Sequence, residues 1–140
     1  MADSLLRFLF DQAPVRGECV SLDTTWREVL DRHDYPPVLQ SLLGELMAAA
    51  ALLSATLKFD GSLIMQLHGT GVLKLLVVEC TADLGMRATA KWDGEIRPQP
   101  LRDLLGHGKF VITLDPETGQ PHTSHTVGPV PLVYEIGRAS

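Results

Sequence analysis

The sequence predicts an α+β domain: mostly antiparallel sheet, covered by one short helix and one long helix. Three observations predict it. A single long apolar stretch repeats at helical spacing, strand-type segments lie on both sides of it, and short turn signals separate those segments. Helices segregated from strands in this way suit a long helix laid across one sheet face.

Each element has its own local reason. Residues 5–10 (LLRFLF) are apolar except for Arg7 and lead into Pro14-Val15-Arg16-Gly17; the pattern fits a strand or a short helix, and a strand is preferred. Residues 15–22 (VRGECVSL) loosely alternate apolar and polar side chains and stop at Asp23, which makes a second strand. Thr25-Trp26-Arg27-Glu28 has the S/T-x-x-E form of a capping box, in which two side chains satisfy free backbone N–H groups at a helix start. That helix is short, because His33-Asp34-Tyr35-Pro36-Pro37 follows and the residue before a proline avoids helical geometry.

Pro37 then suits the first position of the long helix, where its missing N–H costs nothing. Leu39, Leu42, Leu46, Ala50, Leu53 and Leu57 recur at helical spacing, and Leu43, Met47 and Leu52 widen the apolar face. Lys58 complements the C-terminal dipole, and Phe59-Asp60-Gly61 forms the exit turn. Residues 62–68 and 72–80 read as strands joined by Gly69-Thr70-Gly71, and 86–92 alternates before the turn at Asp93-Gly94. Residues 100–105 give one helical turn before Gly106, 110–114 a last β-branched strand, and 115–119 a turn, so an antiparallel meander is expected.

Composition narrows the functional classes. The chain has 140 residues, 45% of them apolar and 21% charged, which is one globular domain rather than a disordered chain. Its formal charge is −5, and its basic residues are scattered, so nucleic-acid binding is disfavoured. Two cysteines, Cys19 and Cys80, supply neither a disulfide framework nor a four-ligand zinc site, which fits a reducing cytosolic compartment. The first twelve residues do not have the form of a secretory signal, since Asp3 precedes a short apolar stretch. Residues 38–57 have the length of a membrane span, but Glu45 lies near their middle, at a cost of roughly 2.5–3.5 kcal/mol on insertion scales. A buried helix is expected there, and no membrane partner.

The residues that carry chemistry gather into no site. Both cysteines sit in expected strands, where structural burial is the ordinary reading. His122-x-x-His125 has metal-ligand spacing but no third ligand nearby. His68-Gly69-Thr70-Gly71 lacks the third glycine of a dinucleotide fingerprint, and a strand follows it rather than a helix. Gly106-His107-Gly108-Lys109 lacks Walker spacing. Neither Asp31 with Asp34 nor Asp103 with Asp115 makes a carboxylate pair by spacing, so no enzyme is expected. What stands out is apolar surplus: the long helix has a broad apolar face, and residues 72–80 are apolar on both faces. Core is the ordinary reading of such a surplus, and a polypeptide-binding surface the sharper one.

The motifs LLRFLF, PVRGECV, DRHDYP, LLGELMAAAALLSATLKFDG, GEI and GKFVITLDPETG, in this order, resemble the redox-regulated 33 kDa heat-shock chaperonin family of bacteria. The resemblance runs from about Leu5 to Gly119. It implies the truncated N-terminal client-binding and dimerisation domain of that fold over residues 1–119, with a divergent tail over 120–140, disordered or packed on a partner. It implies a cytoplasmic holdase that binds unfolding clients under heat and oxidative stress without ATP. In the family, a C-terminal zinc domain with CxC and CxxC pairs forms the redox switch. No such pair occurs here, so no redox cysteine, metal ligand or cofactor carries over.

Client-binding positions are expected on one face of the meander, at Leu63, Met65, Leu67, Leu73, Leu75 and Val77, and at the N-terminal Phe8 and Phe10. The same residues read equally well as core. A homodimer is the expected assembly, with segment exchange as one route to a complete sheet and instability of the lone domain as the alternative. Two alternatives stand beside this reading: an inert dimerisation fragment, and a metal-binding protein built on His107, His122 and His125.

Overall fold

The computed structural model describes residues 2–56 and 60–116, and the backbone of 122–124. Strands β1 (Ser4–Leu9) and β2 (Arg16–Ser21) pair as an antiparallel ribbon. Helices α1 (Thr24–Leu30) and α2 (Pro37–Thr56) follow. A second, five-stranded sheet is then built from β3 (Gly61–His68), β4 (Leu73–Thr81), β5 (Met86–Trp92), β6 (Lys109–Pro116) and β7 (His122–Ser124), with α3 (Leu101–Leu105) between β5 and β6. Its order is β5-β4-β3-β6-β7, with every pairing antiparallel. The expected α+β architecture is present. Lys58 and Phe59, expected to end α2, lie outside the described residues, as does most of the 120–140 segment.

The simple meander expected from the sequence covers only β3, β4 and β5. Residue order then breaks, because β6 returns to the free edge of β3. Helix α3 anchors that return by burying Leu101, Leu104 and Leu105. The amides of Thr70 and Gly71 donate to the Leu105 carbonyl at 2.7 and 2.8 Å, and the His107 amide donates to Thr70 Oγ1 at 3.0 Å. This clasp requires glycine: a Cβ at Gly71 would lie 2.4 Å from the Leu104 carbonyl oxygen. The two glycine-rich segments that resembled nucleotide loops therefore pack on each other.

Helix α2 supplies one wall of the core. Its Leu39, Leu43, Met47 and Ala50 are fully buried, and the same cluster takes in Leu63, Leu67, Leu76 and Val78 from β3 and β4. Phe110, Ile112 and Leu114 of β6 continue that face beside β3. By length and composition α2 is apolar enough to cross a membrane. Its face is used against the sheet instead.

Strand β4 corrects the expected facing. Its pairing with β5 shifts register between Leu73 and Leu75. Leu73 therefore points inward with Leu76, Val78 and Cys80, whereas Leu75 and Val77 turn to the opposite face. Period-two counting from Leu73 places all three on one side, and one irregular residue, Lys74, separates them.

The start of α1 is also corrected. The helix begins at Thr24, so Thr25 lies inside it and no Thr25–Glu28 box forms. The cap comes instead from Asp3, at the head of β1. Its carboxylate accepts from the Asp23 amide at 2.6 Å, the Thr25 amide at 3.1 Å and the Thr25 hydroxyl. An anion at a helix N-terminus satisfies unpaired donors and complements the dipole. The Thr25 hydroxyl bond, chiefly, holds the Asp3 carboxyl below the usual carboxylate range.

Two predictions follow from this packing. Asp3→Ala should lower stability by about 1 kcal/mol, read from the urea midpoint, since the cap is lost at an exposed site. A depressed folded pKa means the contribution is fully present above the unfolded carboxylate pKa and vanishes as pH falls through the lower folded value, so wild type and variant should converge in strong acid. Leu76→Ala should cost about 2–5 kcal/mol because Leu76 is wholly buried, whereas Leu75→Glu should leave a cooperative unfolding transition.

Candidate polypeptide-binding surface

The β1–β2 ribbon carries the apolar surface that the core does not use. No residue of either strand is buried. Alternation puts Leu6, Phe8 and Phe10 on one face, opposite Cys19, Gly17 and Val15 in the neighbouring strand. Leu6 is 64% exposed, Phe8 48%, Phe10 55% and Val15 49%. The rings of Phe8 and Phe10 lie 6.1 Å apart, centroid to centroid. Phe8 also lies over Gly17, where a Cβ would come 2.2 Å from its ring. The other ribbon face carries Leu5 and Val20, half-buried, with Leu9, which is 77% exposed, and β2 also contacts α2.

Polar clasps hold the ribbon in place. Arg7 donates from its guanidinium to the Ala55 carbonyl in the last turn of α2 at 2.6 Å, and its Nε lies 3.5 Å from Glu18 Oε1. Asp3 caps α1 from the same strand. Apolar burial is thus a minor part of ribbon docking, and the Leu6–Phe8–Phe10 face is left to solvent.

The eight expected positions separate into three places. Leu63, Met65, Leu67 and Leu73 are buried in the core, so the folded protein does not present them. Leu75 and Val77 are half-buried on the outer face of the large sheet, where Gln66 stands between Val77 and Val111. Lys91, His68 and Lys109 cross one end of that face beside Leu75. Phe8 and Phe10 are on the ribbon. Sequence reasoning passed over Leu6 and Val15, although strand parity with Phe8 and Phe10 includes Leu6.

The two thiols have opposite settings. Cys19 is exposed on the apolar ribbon face, and Cys80 is buried, where desolvation pushes its pKa up. Among the described residues, no three His, Cys, Asp or Glu side chains gather to hold a metal. His107 is exposed near the clasp, His122 falls in β7 with its side chain outside the described residues, and His125 lies outside them altogether.

The family model described as Hsp33 protein matches residues 3–138, which runs past Gly119 and through β7. The 33 kDa chaperonin of Chromobacterium violaceum is 59% identical over 122 residues, covering 86% of this chain and 42% of that protein. That of Methylobacillus flagellatus is 56% identical over 124 residues, covering 87% of this chain and 42% of that protein. The chain therefore spans about two fifths of the length of these relatives. The crystal structure of the 33 kDa chaperonin (heat shock protein 33 homolog) from Thermotoga maritima shares the fold, with a TM-score of 0.65 at 18% identity over 73% of this chain and 37% of that one.

The thiol settings give a direct check of this geometry. An aromatic disulfide reagent should titrate one thiol per chain rapidly under native conditions and both in denaturant, and Cys19→Ser should abolish the rapid phase.

Proposed function

Because the chain belongs to the Hsp33 protein family, we propose that it is the client-capturing part of a molecular chaperone. In this reading it binds unfolding polypeptides through apolar contact and holds them out of aggregation, without ATP and without refolding them. The observation that carries the reading is the solvent-facing row of Leu6, Phe8 and Phe10 on a ribbon that is otherwise tied down by charge. Apolar contact at roughly 25 cal/mol per Å² is tolerant of client sequence. An unfolding client exposes the same kind of surface, so its recognition requires no catalytic group.

The setting we propose is the bacterial cytoplasm under heat and oxidative stress, with a homodimer as the working form. Segment exchange is the route we propose for the dimer, with β7, the short outer strand beside β6, as the element exchanged. Capture in this chain uses no metal and no cofactor. Cys19 and Cys80 are set apart, one on the ribbon and one in the core, so the family's zinc-thiolate switch has no counterpart in these two residues. Suppression of aggregation should therefore be the same under reducing and oxidising conditions.

Light scattering from a chemically denatured client, diluted into buffer with and without the chain, tests the proposal. Suppression is expected. Leu6→Ser with Phe10→Ser should raise the amount of chain needed by about tenfold, at an unchanged unfolding midpoint. Phe8 is left intact in this variant because its ring covers Gly17. A folded chain that dimerises but suppresses nothing would favour the inert dimerisation reading.

A further inference from the structure

The ribbon has a second open surface, its outer edge. Among the described residues, β1 pairs with β2 alone; β2 packs against α2, and β1 reaches the end of that helix through the Arg7 side chain. The Phe10 amide donates to the Val15 carbonyl at 2.9 Å, which marks Phe10–Val15 as a hydrogen-bonded pair. Antiparallel alternation then directs the backbone groups of Leu5, Arg7 and Leu9 away from β2.

Natural edge strands are usually blunted by proline, lysine, bulges or a covering element. Strand β1 contains no proline, no lysine and no register shift, and its single charge, Arg7, is turned to Ala55 and Glu18. By contrast, β5 at the edge of the large sheet carries Arg87 and Lys91. Among the described residues, a row of unpaired donors and acceptors lies beside the row of exposed apolar side chains.

We propose that clients are captured by strand addition: an extended segment with alternating apolar and polar residues pairs with the outer edge of β1 and lays its apolar side chains beside Leu6, Phe8 and Phe10. This rests on the client-capturing reading above and specifies its binding mode. Main-chain hydrogen bonds are independent of client sequence, and alternation selects the segments that form strands. The ligand is thus a β-prone stretch of unfolded chain rather than an amphipathic helix.

Fluorescence anisotropy with a labelled alternating peptide of about ten residues tests the mode, since that length fills an edge strand. A second peptide keeps every side chain but is N-methylated at successive central residues, which removes its backbone donors. Strand addition predicts binding of the first and at least about tenfold weaker binding of the second. Leu9→Pro, which removes an outward N–H without breaking β1–β2 pairing, should weaken the first peptide similarly. Equal binding of both peptides would overturn strand addition and leave client capture standing. Binding of neither would overturn strand addition, and suppression of aggregation in the light-scattering assay then decides whether capture itself stands. A chain that sediments as a dimer, becomes a monomer on Leu9→Pro and still binds peptide would assign the edge to a second copy and overturn the proposal.

Discussion

The burial of α2 is the constraint on which the rest of the structure depends. A helix this apolar requires a wide, dry surface, and it lies over β4, with β3 and β5 on either side of that strand and β2 of the ribbon also against it. The return of β6 to the free edge of β3 adds Phe110, Ile112 and Leu114 to the same face. That return fixes the position of α3, and α3 in turn requires the close approach of Gly71 to the Leu104 carbonyl. Strand β4 answers the same demand by its shift at Lys74, which keeps Leu73 inside together with Leu76, Val78 and Cys80. Burial drives register, because a slip by one residue would move every β4 leucine and valine to the wrong side.

The ribbon is attached by different physics. It buries little, and its charged contacts with the helical layer fall at two helix ends, an anion at the start of α1 and a cation at the close of α2. Both partners complement a helix dipole. Such contacts are individually modest and screened by salt, but they fix orientation. The outcome is a ribbon whose position is determined and whose apolar face remains unused by the fold.

Much of this was legible in the sequence because the signals were local. The helical spacing of Leu39, Leu43 and Leu46, Pro37 at the helix start and the alternation of 86–92 each reported their own element. The features that were not legible depend on residues far apart in the chain. Asp3 caps a helix whose first residue lies twenty-one positions later, so Thr25-x-x-Glu28 imitated a box that the fold does not use. The order β5-β4-β3-β6 is a choice between sheet edges that no local pattern encodes. The shift at Lys74 defeats parity counting, which is why Leu73 and Leu75 were assigned to one face. For the site, Phe8 and Phe10 were readable as unusual N-terminal aromatics, but their exposure was not, since the same alternation also describes a buried strand.

An isolated two-stranded ribbon is marginal in water, because it orders many residues and covers few. Here the ordering cost of β1 is met by contacts on its far side: Arg7 on α2, Asp3 on α1, and Leu5 with Val20 half-buried. The near side is consequently ordered before anything binds it. A binding strand then loses only its own freedom and the rigid-body motion common to any association, which is the advantage of preorganisation. The same economy explains the position of Phe8 over Gly17: the ring stiffens a glycine that would otherwise loosen β2, and it still presents about half of its surface. Rigid backbone with indifferent side-chain contact is the combination that lets one short strand accept many sequences.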